Sequence, residues 1–173
     1  MADNQENDIV VFVNAAADYR REVPYQIIKI STLVSDAVKD NDDTDDDDDD
    51  GPTKHTIPLQ DSVTSEVLEK VIEFCTYHQT TPMTAIAAFP EKDEIEIKDL
   101  VQDWYSDFAK GMEREILFQL LICANYMNIQ PLLDLSCLAV AKSIHRKSED
   151  EMREIFHIKK PEPVEAKEES DKL

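Results

Sequence analysis

Cys75 and His78 stand three residues apart in an apolar helical pattern, a spacing that lets a thiol and an imidazole share one side of a helix. A structural zinc site needs four such donors. The other thiols, Cys123 and Cys137, lie far along the chain, and no CxxC pair exists. All three cysteines occupy apolar helical patterns, so they read as buried small hydrophobes rather than ligands or nucleophiles. His55, His145 and His157 are scattered among charged residues and read as solvated. Asp46, Asp48, Asp50 and Gly51 match the first, third, fifth and sixth places of an EF-hand loop. Pro52 then takes the seventh place, and Ile57 the twelfth, where a bidentate glutamate is required. The run therefore reads as a solvated linker. A nucleophile needs a base and an orienting group, and the chain offers no GxSxG, no glycine-rich phosphate loop and no HExxH. The expectation is a protein with no enzyme activity, no cofactor and no metal.

Asn125-Tyr126 is more informative. An asparagine inside a nearly all-apolar helix needs a partner for its amide. One reading is a local cap or backbone bond as the helix ends. The other puts Asn125 and Tyr126 at a protein interface, where tyrosine is favoured.

The elements that would carry these residues are readable in turn. Ile116 to Met127 is apolar almost all round, which means buried or shared with a partner. Pro131 suits the first turn of a second helix, along which Leu132, Leu133, Leu135, Leu138, Val140 and Ile144 follow. Ser148 to Glu151 has the pattern of a capping box, and Met152, Ile155 and Phe156 form one face of a short third helix. Three short helices with this much apolar surface exceed what they can hide by themselves. Earlier in the chain, Ile9 to Val13 reads as a strand buried on both faces. Glu22 to Tyr25 reads as an edge strand because of Pro24. Ile27 to Val38 supplies one or two short helices, and Thr56 to Leu59 a brief strand. Thr64 caps a helix that buries Val67, Leu68, Val71, Ile72 and Cys75 and ends near His78. Gln79 to Lys98 reads as a long polar loop, and Trp104 and Phe108 share one face of a short helix. Pro161 and Pro163 close the last helix ahead of a charged tail.

Composition narrows the function classes. The 173 residues carry a net charge of −20; nine aspartates between Asp40 and Asp50 supply −9, leaving −11 elsewhere. Phosphate backbones and anionic membranes repel such a chain, so neither nucleic acid nor membrane is expected as a partner. No apolar run reaches the roughly 18–20 residues of a membrane span. The acidic N-terminus does not read as a signal peptide. An odd count of three cysteines in apolar patterns points to a reducing compartment, cytoplasm or nucleus.

The segments Ile57 to His78, Trp104 with Phe108, and Leu117 to Ile158 resemble the Skp family, the S-phase kinase-associated adaptors that link cullins to F-box proteins in SCF ubiquitin ligases. The resemblance implies an α/β (α+β) protein of BTB/POZ fold: a small three-stranded sheet packed with helices, over residues 1–128. That domain would contain a disordered acidic insertion at 40–56 and the polar loop at 79–98. A helical F-box-binding extension over 129–160 and a tail over 161–173 would follow. The implied function is non-catalytic bridging of a cullin to an F-box protein. Asn125 and Tyr126 would meet the cullin. Leu133, Cys137, Val140, Ile144, Met152, Ile155, Phe156 and Ile158 would meet the F-box. The alternative is a BTB-type scaffold that homodimerises when unpartnered. Two departures from the family stand out: Pro161 and Pro163 replace a longer acidic helix, and Pro24 with a glycine-free turn implies a distorted first strand pair.

Overall fold

The computed structural model describes residues 7–14, 19–41, 52–86 and 96–159. Residues 42–51, which hold the EF-hand match, and the charged tail lie outside them. Two compact units emerge, residues 1–142 and 143–173.

In the first unit, the β-branched run of β1 (Ile9–Asn14) is the middle strand of a three-stranded sheet in the order β2-β1-β3. Val10, Val11 and Phe12 are fully buried, as a central strand covered on both faces requires. β2 (Tyr19–Pro24) pairs antiparallel with β1 without interruption, from Ile9 opposite Pro24 to Asn14 opposite Tyr19. The expected distortion of this pair is therefore absent. Pro24 is tolerated because β2 is an edge strand, and the strand starts three residues earlier than its composition suggested. Exposed Arg20, Arg21 and Glu22 blunt that edge against pairing with other chains. β3 (Lys54–Pro58) runs parallel to β1 on the other side, so Lys54 to Thr56 are strand rather than insertion. Asp40 and Asn41 likewise close a helix, α2 (Thr32–Asn41), which follows the single turn α1 (Tyr25–Ile28).

His55 corrects a second expectation. It is 3 % exposed, and its Nε2 donates to the Asp8 carboxylate at 3.2 Å. Alternation along β3 turns His55 and Ile57 inward together, and one of the two ring nitrogens of the buried imidazole has a partner there. Asp8 also anchors the start of α1, its carbonyl accepting from the Tyr25 N–H at 2.9 Å.

The helix α3 (Ser65–Thr80) begins as expected, the Thr64 hydroxyl accepting from the Val67 N–H at 3.3 Å, but continues through Gln79 and Thr80. A 3₁₀ turn spans Ile97–Asp99, and α4 (Asp103–Lys110) follows. Trp104 stacks on Phe108 at 5.1 Å and on Tyr77 of α3 at 4.0 Å, so this ring column pins α4 to α3. The apolar helix α5 (Arg114–Tyr126) and the greater part of α6 (Gln130–Ile144) complete the core with Leu120, Met127, Leu132 and Leu135, all at most 1 % exposed. Glycine is scarce, so helix ends use other residues. Asn128 adopts φ 51° after α5, with its N–H on Asn125 O and the Ile129 N–H on Ala124 O, closing a Schellman turn.

In the second unit, α7 (Glu149–Ile155) carries the expected capping box: the Ser148 hydroxyl accepts from the Glu151 N–H, and the Ser148 N–H donates to the Glu151 carboxylate at 2.8 Å. Those bonds and Lys147 hold the Glu151 carboxyl well below its ordinary 4.5, at about 2. A carboxyl depressed in the folded state adds stability above its unfolded value, and that contribution fades as pH falls from 4.5 towards 2. Ser148→Ala is expected to destabilise α7 by about 1 kcal/mol. Amide exchange at Met152 to Phe156 should then be several-fold faster at neutral pH; unchanged exchange there would refute the cap's contribution. His157, at φ 53°, closes the helix with a second Schellman turn, its N–H on Glu154 O and the Ile158 N–H on Arg153 O.

Candidate protein-interaction faces

The helix α5 buries Leu117, Leu120, Cys123 and Ala124. Its other side carries Ile122, which is 53 % exposed, and Asn125 one turn on, also exposed. The Asn125 amide is therefore not the buried group that its apolar neighbours suggested, because the helix turns that position to solvent. Tyr126 is half-buried, and its hydroxyl donates to the Pro58 carbonyl at the end of β3 (3.0 Å). Asn125 and Tyr126 thus lie where α5 meets the sheet, and Ile122 lies beside them. Residue types alone did not single out Ile122, because a helix apolar on every side carries no period that distinguishes its core face from its exposed one.

On α6, Leu132, Leu135, Ser136, Leu138 and Ala139 are buried. Leu133, Cys137 and Val140 share the other face at i, i+4 and i+7, with Leu133 and Val140 half-buried and Cys137 exposed. Cys137 therefore departs from the three-buried-thiols reading: its helical position points away from the core. Cys75 and Cys123 do follow that reading. Burial pushes both thiols up to about 12, which leaves them protonated and poor nucleophiles. His78, on the same helix as Cys75, stacks on Phe74 at 5.5 Å. Among the described residues no cluster of three or more His, Cys, Asp or Glu side chains could hold a metal ion.

In the second unit, Ile144 and Met152 are half-buried, Phe156 is 38 % exposed and Ile158 57 %. Ile155 differs from the rest: at 7 % exposure it supports this surface rather than lying on it. Arg153 pairs with Glu149 and Asp150 along α7.

A three-stranded mixed sheet packed with helices, followed by helices that keep apolar side chains outside, defines an interaction module of BTB/POZ type. Residues 18–80 match the family model described as Skp1 family, tetramerisation domain, and residues 130–172 match Skp1 family, dimerisation domain. Two proteins of Dictyostelium discoideum, named SCF ubiquitin ligase complex proteins SKP1a and SKP1b, are 34 % and 38 % identical to this chain over 138 residues, 80 % of it and 76 % of each of them. SKP1-like protein 1A of Arabidopsis thaliana is 40 % identical over 103 residues, 60 % of this chain and 62 % of its own. The chain belongs to the Skp1 family. Among the described residues no helix is long and apolar enough to cross a membrane.

Proposed function

We propose that this protein is a non-catalytic adaptor of an SCF-type ubiquitin ligase, bridging a cullin to F-box substrate receptors in the cytoplasm or nucleus. One observation carries the reading. Only Ile122, Phe156 and Ile158 are large apolar side chains standing exposed among the described residues. Each belongs to an element that the family resemblance gives to a partner. Single exposed apolar residues are ordinary on a protein surface, so the weight lies in where these three stand. In this reading, Asn125 and Tyr126, joined by Ile122, form the cullin face. Leu133, Cys137 and Val140 in the first unit, and Ile144, Met152, Phe156 and Ile158 in the second, meet the F-box from an extension over 129–160, Ile155 being the buried member of the second set. Adaptor work needs no bond-making: two faces that hold a receptor beside a catalytic module raise its effective concentration. The names of the Dictyostelium relatives support the assignment.

The test is co-elution. The purified full chain should migrate in gel filtration with an F-box protein and, separately, with a cullin from its own organism. Failure with every F-box protein tried would remove the adaptor reading. A second reading, self-association of the unpartnered chain, is favoured by the dimerisation-domain match over residues 130–172.

A further inference from the structure

We infer that Tyr126 serves the cullin face as a positioning residue, its hydroxyl braced against the Pro58 carbonyl rather than donated to the partner. This rests on the cullin reading above. A tyrosine has one O–H to donate, and here it is spent on Pro58 at 3.0 Å. The acceptor is well held. Pro58 lies opposite Val13 in the parallel ladder, and the Leu59 N–H donates to Val13 O at 2.8 Å. In that register the residue opposite Val13 turns its own backbone groups away from β1. Proline therefore forfeits no ladder bond there, and its carbonyl is left for another donor. The chain beyond is tied to the central strand as well: the Asn14 amide, 1 % exposed, donates to Val63 O at 3.0 Å and Gln60 O at 3.3 Å.

The other end of the brace is equally fixed. Just past Tyr126, Met127 is fully buried, its carbonyl accepts from the Ser31 hydroxyl at 2.5 Å, and the Schellman turn at Asn128 closes the helix. The ring thus spans two rigid points, the end of β3 and the end of α5. Its orientation is set before any partner arrives, which lowers the ordering cost of docking. Ile122 and Asn125 remain exposed beside it. The partner surface that fits is an apolar side chain packing on Ile122 and the Tyr126 ring, with a polar group reaching the Asn125 amide.

The test compares Tyr126→Phe with the parent chain. The variant should bind purified cullin about three- to tenfold more weakly, the worth of one hydrogen bond. An F-box protein should bind unchanged, and ¹³C relaxation should show a more mobile ring at position 126 in the free chain. Unchanged cullin affinity would overturn the inference. So would a loss of affinity with ring order unaltered, since the hydroxyl would then serve the partner directly. Equal loss of both partners would overturn it too, as a general structural effect. Ile122→Asp with Asn125→Lys separates the two levels. If that variant also binds cullin normally, the cullin reading itself fails and the brace falls with it; if it abolishes binding, only the Tyr126→Phe result decides.

Discussion

Ile122→Asp combined with Asn125→Lys is expected to abolish cullin binding, at least a thousandfold, while an F-box protein still co-elutes with the chain. Both side chains are exposed in the protein alone, so their replacement should disturb folding by no more than about 0.5 kcal/mol. In a complex they would lie inside a dry contact. Burying a charge at such a position costs about 2–5 kcal/mol, and although the two new charges stand at i, i+3 and can pair, each must shed its water, so together they are expected to reach the roughly 4 kcal/mol of a thousandfold change. Tyr126 is deliberately left alone, because its bond to Pro58 would mix a folding effect with a binding one. Isothermal titration against cullin and against an F-box protein gives the answer. Loss of both partners would mean that the two residues hold the fold rather than a face. Intact cullin binding would put that face elsewhere.

Phe156→Asp with Ile158→Asp should in the same way remove F-box binding by at least several hundredfold and leave cullin binding intact. These are two of the large exposed apolar residues, at 38 % and 57 %, and they flank the left-handed His157 that ends α7. Full burial of such a side chain against a partner contributes about 1.5–3 kcal/mol, and a carboxylate in its place adds a desolvation penalty. The pair together therefore outweighs the roughly 3.5 kcal/mol that a several-hundredfold loss represents. The capping box at Ser148 lies at the far end of the helix and should keep α7 formed, which circular dichroism would verify. The variant also tests self-association. If the parent sediments as a dimer at micromolar concentration, the doubly charged form should sediment as a monomer. A variant that keeps its F-box protein would exclude this surface as the docking face.

The contrast between α5 and α7 shows what can be read without tertiary information. The capping box of α7, the Thr64 cap of α3, the central strand β1 and the ring pair Trp104–Phe108 were all legible, because each depends on residues within one or two turns of each other. The edge role of β2 was legible too, since proline cannot donate to a ladder wherever the strand happens to pair. The adaptor function came instead from the Skp-family resemblance, carried by Ile57 to His78, Trp104 with Phe108, and Leu117 to Ile158.

What stayed hidden is whatever depends on the far side of an element. The apolar run of α5 and α6 determined two helices but left open which side of each faces outward, so Ile122 was missed and Cys137 was counted among buried thiols. Nothing beside His55 in sequence announces its burial, and only the pairing of β3 with β1 brings it to Asp8. The bond from Tyr126 to Pro58 joins residues 68 apart, and no local pattern encodes it. The amino-acid order by itself determined where most helices and strands fall, the caps at Thr64 and Ser148 and the surplus of apolar surface. Tertiary packing decided which of those apolar groups stay outside, because exposure is set by the element lying against each face.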